Sequence, residues 1–192
     1  MTKGTAMHPW HDVELGDGHT KPYQCVIEIP RGSKNKYELD KDTGMLRLDR
    51  VLYSAVHYPA NYGFLPRTYC EDGDPLDILV FAQEPVTPLC IVQARPIGVI
   101  TMKDEKGRDD KVIAVAIDDP EFNHYEHIDQ FPLHRLRELK RFLLDYKALE
   151  GKVVDLDQLR GRTEAEQVIS DSTKLYRDTI LPHVRKTAAP AR

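Results

Sequence analysis

The sequence predicts an α+β fold, mainly β: a small barrel of short strands with two α-helices packed on it near the C-terminus. Two observations carry this. Over residues 24–117, short stretches with strand character recur between turn signals. From Pro132 onward the apolar pattern changes period, from two residues to three and four. A length of 192 residues favours a single domain over 1–192, and no internal repeat or low-complexity linker divides it.

Residues 1–20 are polar and rich in Gly and His, and predict an irregular lead-in. Gln24–Ile29 alternates, with Cys25, Ile27 and Ile29 on one face and Gln24, Val26 and Glu28 on the other. Asn35–Asp40 and Met45–Leu52 follow as strands, separated by the turn-like Lys41-Asp42-Thr43-Gly44. Asp77–Ala82 is a continuous apolar run, as expected of a strand covered on both faces. Ile91–Met102 and Lys111–Ile117 flank a charged connection and predict a hairpin. Between Pro132 and Gly151, Leu136, Leu139, Leu143 and Tyr146 recur as one face of an amphipathic helix. A second helix is expected over about 163–185. Thr163 and Glu166 suggest a capping box, and Ala165, Val168, Ile169, Ser172, Leu175, Tyr176 and Ile180 form its apolar face.

Composition narrows the function. A hydrophobic content of 41% supports a real core, and 30% charged residues suits a soluble protein. A net charge of -4 argues against a general nucleic-acid binder. The apolar runs are too short to span a bilayer, and the opening residues lack a signal-peptide core. The expectation is a cytoplasmic protein without a membrane partner. Cys25, Cys70 and Cys90 are odd in number and widely spaced, as expected of reduced, mostly buried thiols.

The chemistry begins at Glu71–Val80, "EDGDPLDILV", where Asp72, Asp74 and Asp77 precede an apolar strand. Pro75 disfavours the helical region for Asp74, so Asp72-Gly73-Asp74 is expected to be extended, with the two carboxylates converging. Carboxylates held so close call for a counterion, and a hard divalent cation suits oxygen ligands. An EF-hand is excluded, because counting from Asp72 places Leu76, Asp77 and Gln83 where that loop needs an oxygen ligand, Gly and Glu. Taken alone, the motif also suits a solvated acidic turn. Met102–Lys111 adds Asp104, Glu105, Asp109, Asp110 and Lys111, and Glu28 adds a further carboxylate. Lys36, Arg50, Tyr58, Tyr62, Tyr146 and Lys147 suit an anionic, phosphate-like ligand. Carboxylates for metal and cations for phosphate are together the equipment of phosphoryl transfer. His124, His127 and His134 lack ligand spacing for a tetrahedral cage and are expected on the surface or at helix caps.

These segments resemble family I soluble inorganic pyrophosphatases. The resemblance rests on Val26–Asp40, Arg47–Thr68, the Glu71–Val80 motif, Ile100–Lys111 and Leu143–Gly151, and so spans about residues 23–151. It implies a five-stranded OB-like β-barrel with two flanking C-terminal helices, and hydrolysis of inorganic pyrophosphate to two orthophosphates by a metal-activated water. It implies Mg²⁺, several ions per site, with Mn²⁺ as another cation that could serve. Asp72, Asp77 and Asp109 are implied ligands of the tightest metal, with Asp77 also reaching the second; Asp104 and Asp109 would hold a further metal that arrives with substrate, and Glu28 would help hold another, with Glu105 in support. Asp74 is the implied general base. Lys36, Arg50, Lys111, Tyr146 and Lys147 are the implied phosphate contacts, with Tyr58 and Tyr62 lining the pocket and Glu38 in the same polar cavity. The lead-in "HPWHD" and the second helix resemble longer, plant-type members. Assembly varies across the family: a homo-oligomer is expected, a hexamer if bacterial, with dimer or monomer as other states. Three alternatives are weighed beside this: an OB-like module binding single-stranded nucleic acid, a metal-dependent hydrolase of another phosphoanhydride, and an inactive homologue kept for protein interaction.

Overall fold

The computed structural model describes residues 7–105 and 107–187, the side chains of Asp104 and of 185–187 excepted. Residues 1–6 of the expected lead-in therefore lie outside the described residues. In chain order the elements are β1 (Tyr23–Ile29), β2 (Asn35–Leu39), β3 (Leu46–Val51), β4 (Asn61–Phe64), β5 (Asp77–Phe81), β6 (Ile91–Asp104) and β7 (Gly107–Ala116). Then come α1 (Leu133–Asp145), β8 (Asp155–Leu156), α2 (Arg162–Thr179) and α3 (Leu181–Thr187). The fold is α+β and mainly β, with the helices toward the C-terminus, as the sequence predicts.

β1 pairs antiparallel with β4 and β4 with β5; β5 runs parallel to β7, β7 pairs antiparallel with β6, and β6 returns to β1. The sheet thus closes into a ring of five strands. β8 extends β6 at its far end, and β2 and β3 form a separate hairpin.

β5 explains its own unbroken apolar run. Ile78 and Val80 pack in a cluster with Ile169 of α2, while Leu79 and Phe81 pack with Leu136, Leu139, Phe142 and Leu143 of α1. Both faces are covered. β1 departs from its expected half-polar pattern, because Val26 is 1% exposed and Glu28 7%. The cover comes from far along the chain: Trp10, Val13, Leu39, Phe64 and Tyr176 pack with Val26. The irregular segment 7–20 is thus part of the core wall.

Several local expectations are corrected. β4 and β8 carry too few residues and too little alternation to have been predicted. α2 starts after Gly161, which offers no side-chain cap, and Glu166 accepts instead from Arg162 Nε at 2.8 Å, so the Thr163 capping box does not form. The second helix also stops at Thr179, and α3 follows, giving three α-helices among the described residues rather than two. Cys25 is buried and its thiol is pushed up to about 12 by desolvation, but Cys90 is exposed. His124, His127 and His134 are all exposed, as expected. Among the described residues no helix is long and apolar enough to cross a membrane.

Candidate active site

A cavity of about 460 Å³ opens between the ring and the β2–β3 hairpin. Among the residues whose side chains are described, its wall includes every expected site residue except Tyr58 and Glu105. β1 contributes Glu28, the hairpin Lys36, Glu38 and Arg50, β4 Tyr62, the loop before β5 Asp72 and Asp74, and β5 itself Asp77. Asp109 and Lys111 come from β7, and Tyr146 and Lys147 from the residues just after α1.

The centre is Lys111, only 2% exposed. The parallel register sets Asp77 beside it. Its Nζ donates to Asp77 Oδ2 at 2.5 Å, to Asp109 Oδ2 at 2.8 Å and to the Tyr62 hydroxyl at 3.0 Å. The Tyr62 hydroxyl in turn donates to Asp77. Burial alone would lower the lysine pKa, but the Asp109 and Asp77 carboxylates outweigh it and hold the pKa well above the usual value. Tyr58 stands behind this wall at 2% exposure, edge-on to Tyr62 and 4.7 Å from Phe142 between ring centres. It backs the pocket rather than lining it.

The acidic loop is a turn and not the expected extended segment. Asp72 Oδ1 accepts the Asp74 amide at 3.1 Å, and the Gly73 amide donates to the Cys70 carbonyl at 3.0 Å. Gly73 takes φ +89°, a conformation that favours glycine. The chain thus turns at Gly73, ahead of the residue that Pro75 restricts, with the Asp72 side chain closing the turn. Leu76, fully buried, anchors the loop, its amide donating to Thr68 Oγ1 at 2.8 Å. Asp74 is paired with Lys41, whose Nζ also donates to the Gly73 carbonyl at 2.9 Å.

Three acids in this cavity hold their protons more tightly than usual. Burial and the Asp77 charge push Glu28 up to about 8. Burial and neighbouring carboxylates also raise Asp109 and Asp72. Such a set fits a hard divalent cation, which would relieve the desolvation and mutual repulsion that raise these values. Among the described residues no three acids already stand together in a metal-holding arrangement; the Lys111 ammonium lies between Asp77 and Asp109. The Asp104 side chain lies outside the described residues, and Glu105 pairs with Lys152 at 3.0 Å. Tyr146 is 6% exposed and Lys147 8%, with Lys147 Nζ 5.3 Å from the centre of the Tyr146 ring.

The wall also holds residues that the sequence reading missed: Lys41, Asp49, Arg108 and Lys152. Asp49 pairs with Arg50 and lies 3.4 Å from Lys36 Nζ. Its signal was available, since it stands directly before Arg50 on a strand of mixed charges. Lys152 could have been flagged by its place just after the Tyr146–Gly151 segment.

A family model described as inorganic pyrophosphatase matches residues 25–177. Soluble inorganic pyrophosphatase 2 of Chlamydomonas reinhardtii is 56% identical over 180 residues, covering 94% of each chain. The soluble inorganic pyrophosphatase of Oryza sativa subsp. japonica is 52% identical over 184 residues, 96% of this chain and 86% of its own. Among solved structures, the inorganic pyrophosphatase from Thermus thermophilus superposes with a TM-score of 0.82 at 42% identity, covering 86% of this chain and 97% of its own. Fold, site and relatives agree, and this chain belongs to the inorganic pyrophosphatase family.

Proposed function

We propose that this protein hydrolyses inorganic pyrophosphate to two orthophosphates in an Mg²⁺-dependent reaction, with Asp74 taking the proton of the attacking water. The observation that carries the reading is the one cavity in which Asp72, Asp74, Asp77 and Asp109 face Lys36, Arg50, Lys111 and Lys147. Among the described residues seven acidic and seven basic side chains line it, so the cations are largely offset by carboxylates before any metal binds. Asp72, Asp77 and Asp109, with Asp104 and Glu28, would hold the divalent ions, Mn²⁺ being able to replace Mg²⁺. Bound there, the metal supplies positive charge toward phosphate oxygens and acidifies water.

The chain's own residues do the rest. Asp74, in a turn fixed by the Asp72 side chain and Lys41, accepts a proton at a carboxylate oxygen. Lys36, Arg50, Lys111, Tyr146 and Lys147 meet the phosphoryl oxygens and offset charge on the departing phosphate. Tyr62 and Lys111 hold Asp77 in place. The five-stranded ring supports the OB-like barrel as the scaffold, acting as one domain. Exposed Tyr53, Leu149 and Val153 offer apolar surface of the kind that a homo-oligomer buries. A cytoplasmic location completes the reading.

The test is phosphate release from pyrophosphate with and without Mg²⁺, beside ATP and a polyphosphate. Release is expected from pyrophosphate first and only with the metal. Asp74→Asn is expected to lose about 10²–10⁴-fold in turnover while its circular dichroism stays unchanged. Absence of Mg²⁺-dependent release from pyrophosphate would overturn the proposal.

A further inference from the structure

Arg50 is held before any ligand arrives. Its Nε donates to Glu150 Oε1 at 2.7 Å and its Nη1 donates to Asp49. Among the described residues Nη2 has no protein partner, which leaves those donors for the cavity that Arg50 lines. Glu150 ends a short 3₁₀ turn, Ala148–Glu150, directly after Tyr146 and Lys147. The Glu150 amide closes that turn on the Lys147 carbonyl at 3.0 Å, and Gly151 leaves it at φ +73°. Leu149 beside it is 68% exposed, so apolar burial there does not hold the turn down. The Glu150 side chain is only 10% exposed, and a carboxylate so placed needs a cation.

We infer that Glu150 is a positioning residue for phosphate contact. It fixes the plane of the Arg50 guanidinium and ties it to the turn that carries Lys147. The two cationic arms, one from β3 and one from the end of α1, thereby keep a set span. The inference rests on the pyrophosphatase reading of the cavity. The guanidinium is a rigid planar fork, so fixing Nε and Nη1 fixes the remaining donors as well. A freed arm must instead be ordered when the ligand binds, and a misplacement of about 1 Å costs on the order of 100-fold in rate.

The experiment is a double-mutant cycle on kcat/KM for pyrophosphate at saturating Mg²⁺, with Glu150→Ala, Arg50→Ala and the pair. Glu150→Ala is expected to cost about tenfold with Arg50 present, and less than about twofold in the Arg50→Ala background. Glu150→Gln, which keeps an oxygen for Nε, should recover most of the loss, and it serves as the single variant should Glu150→Ala fail to fold. Affinity for methylenediphosphonate, measured calorimetrically, should fall in Glu150→Ala and recover in Glu150→Gln. Equal losses in both backgrounds, or no loss beside an intact Arg50, would overturn the inference. Wild-type protein inactive on pyrophosphate would sink the functional reading instead, and the same cycle on diphosphonate binding would still decide the Arg50–Glu150 coupling.

Discussion

Replacing Glu28 by Gln should make the metal-free protein more stable at high pH. Glu28 is 7% exposed, and its Oε1 accepts the Leu39 amide at 2.7 Å. Burial first, then the Asp77 charge, raises its carboxyl from 4.5 to about 8, against weaker opposition from that amide and from Lys36. In the unfolded chain the group returns to its ordinary value. Between the two values the folded state keeps a proton that the unfolded state has released, so stability falls as pH rises. The cost stops growing above about pH 8, where both states are ionised. At about 1.4 kcal/mol per pH unit, the loss from pH 5 to pH 8 comes to roughly 3 kcal/mol. Gln keeps the oxygen that receives the Leu39 amide and carries no charge. Urea unfolding in EDTA, at steps from pH 5 to pH 8, should show wild type and Glu28→Gln within about 1 kcal/mol at pH 5. The variant should lead by roughly 3–4 kcal/mol at pH 8. Saturating Mg²⁺ should flatten the wild-type slope, because a nearby cation favours the ionised carboxyl. A difference between the two proteins that does not change from pH 5 to pH 8 would refute the reasoning.

Two further outcomes test the framework around the site. Lys111→Met should destabilise the metal-free protein by about 3 kcal/mol at pH 8, since Asp77 and Asp109 lose their buried partner; the loss should shrink at pH 5 as Asp109, raised by burial to about 6, takes up a proton, and equal denaturation midpoints for wild type and variant at pH 8 would contradict it. Gly63→Ala should abolish folding, because its added methyl would stand 1.9 Å from the Val26 carbonyl oxygen, and recovery of soluble protein with native circular dichroism would show that β1 and β4 can part.

The chemistry was more legible than the backbone that carries it. The carboxylates, lysines and tyrosines stand out by type and spacing, and the cavity wall includes most of them. β5 and α1 were readable because each has a clear period. Glu28 was not, because an acid alternating with Gln24 and Val26 looks like a solvated face. Its surroundings, the Leu39 amide of β2 and the Asp77 carboxylate of β5, come from elements that no local window joins to β1. β4 was hidden by Gly63, a poor strand former that is needed where the Val26 backbone comes close. At Asp72–Asp74 the proline restricts only Asp74, and the turn is made one residue earlier at Gly73. Glu150 passed unnoticed because its partner lies 100 residues earlier in the chain.

The parallel pairing of β5 with β7 has a consequence for assembly. A slip of one residue would set Asp77 beside Asp110 or Val112 and remove the ammonium from between its carboxylates. Mispairing is thus penalised by stranded charge as well as by misplaced apolar side chains. Asp77 and Lys111 are 34 residues apart, and β6 lies between them in sequence. A chain emerging during synthesis has its acidic loop well before the lysine that locks it. The cavity therefore comes into being only when the ring shuts, and the charges that serve chemistry also proofread the sheet.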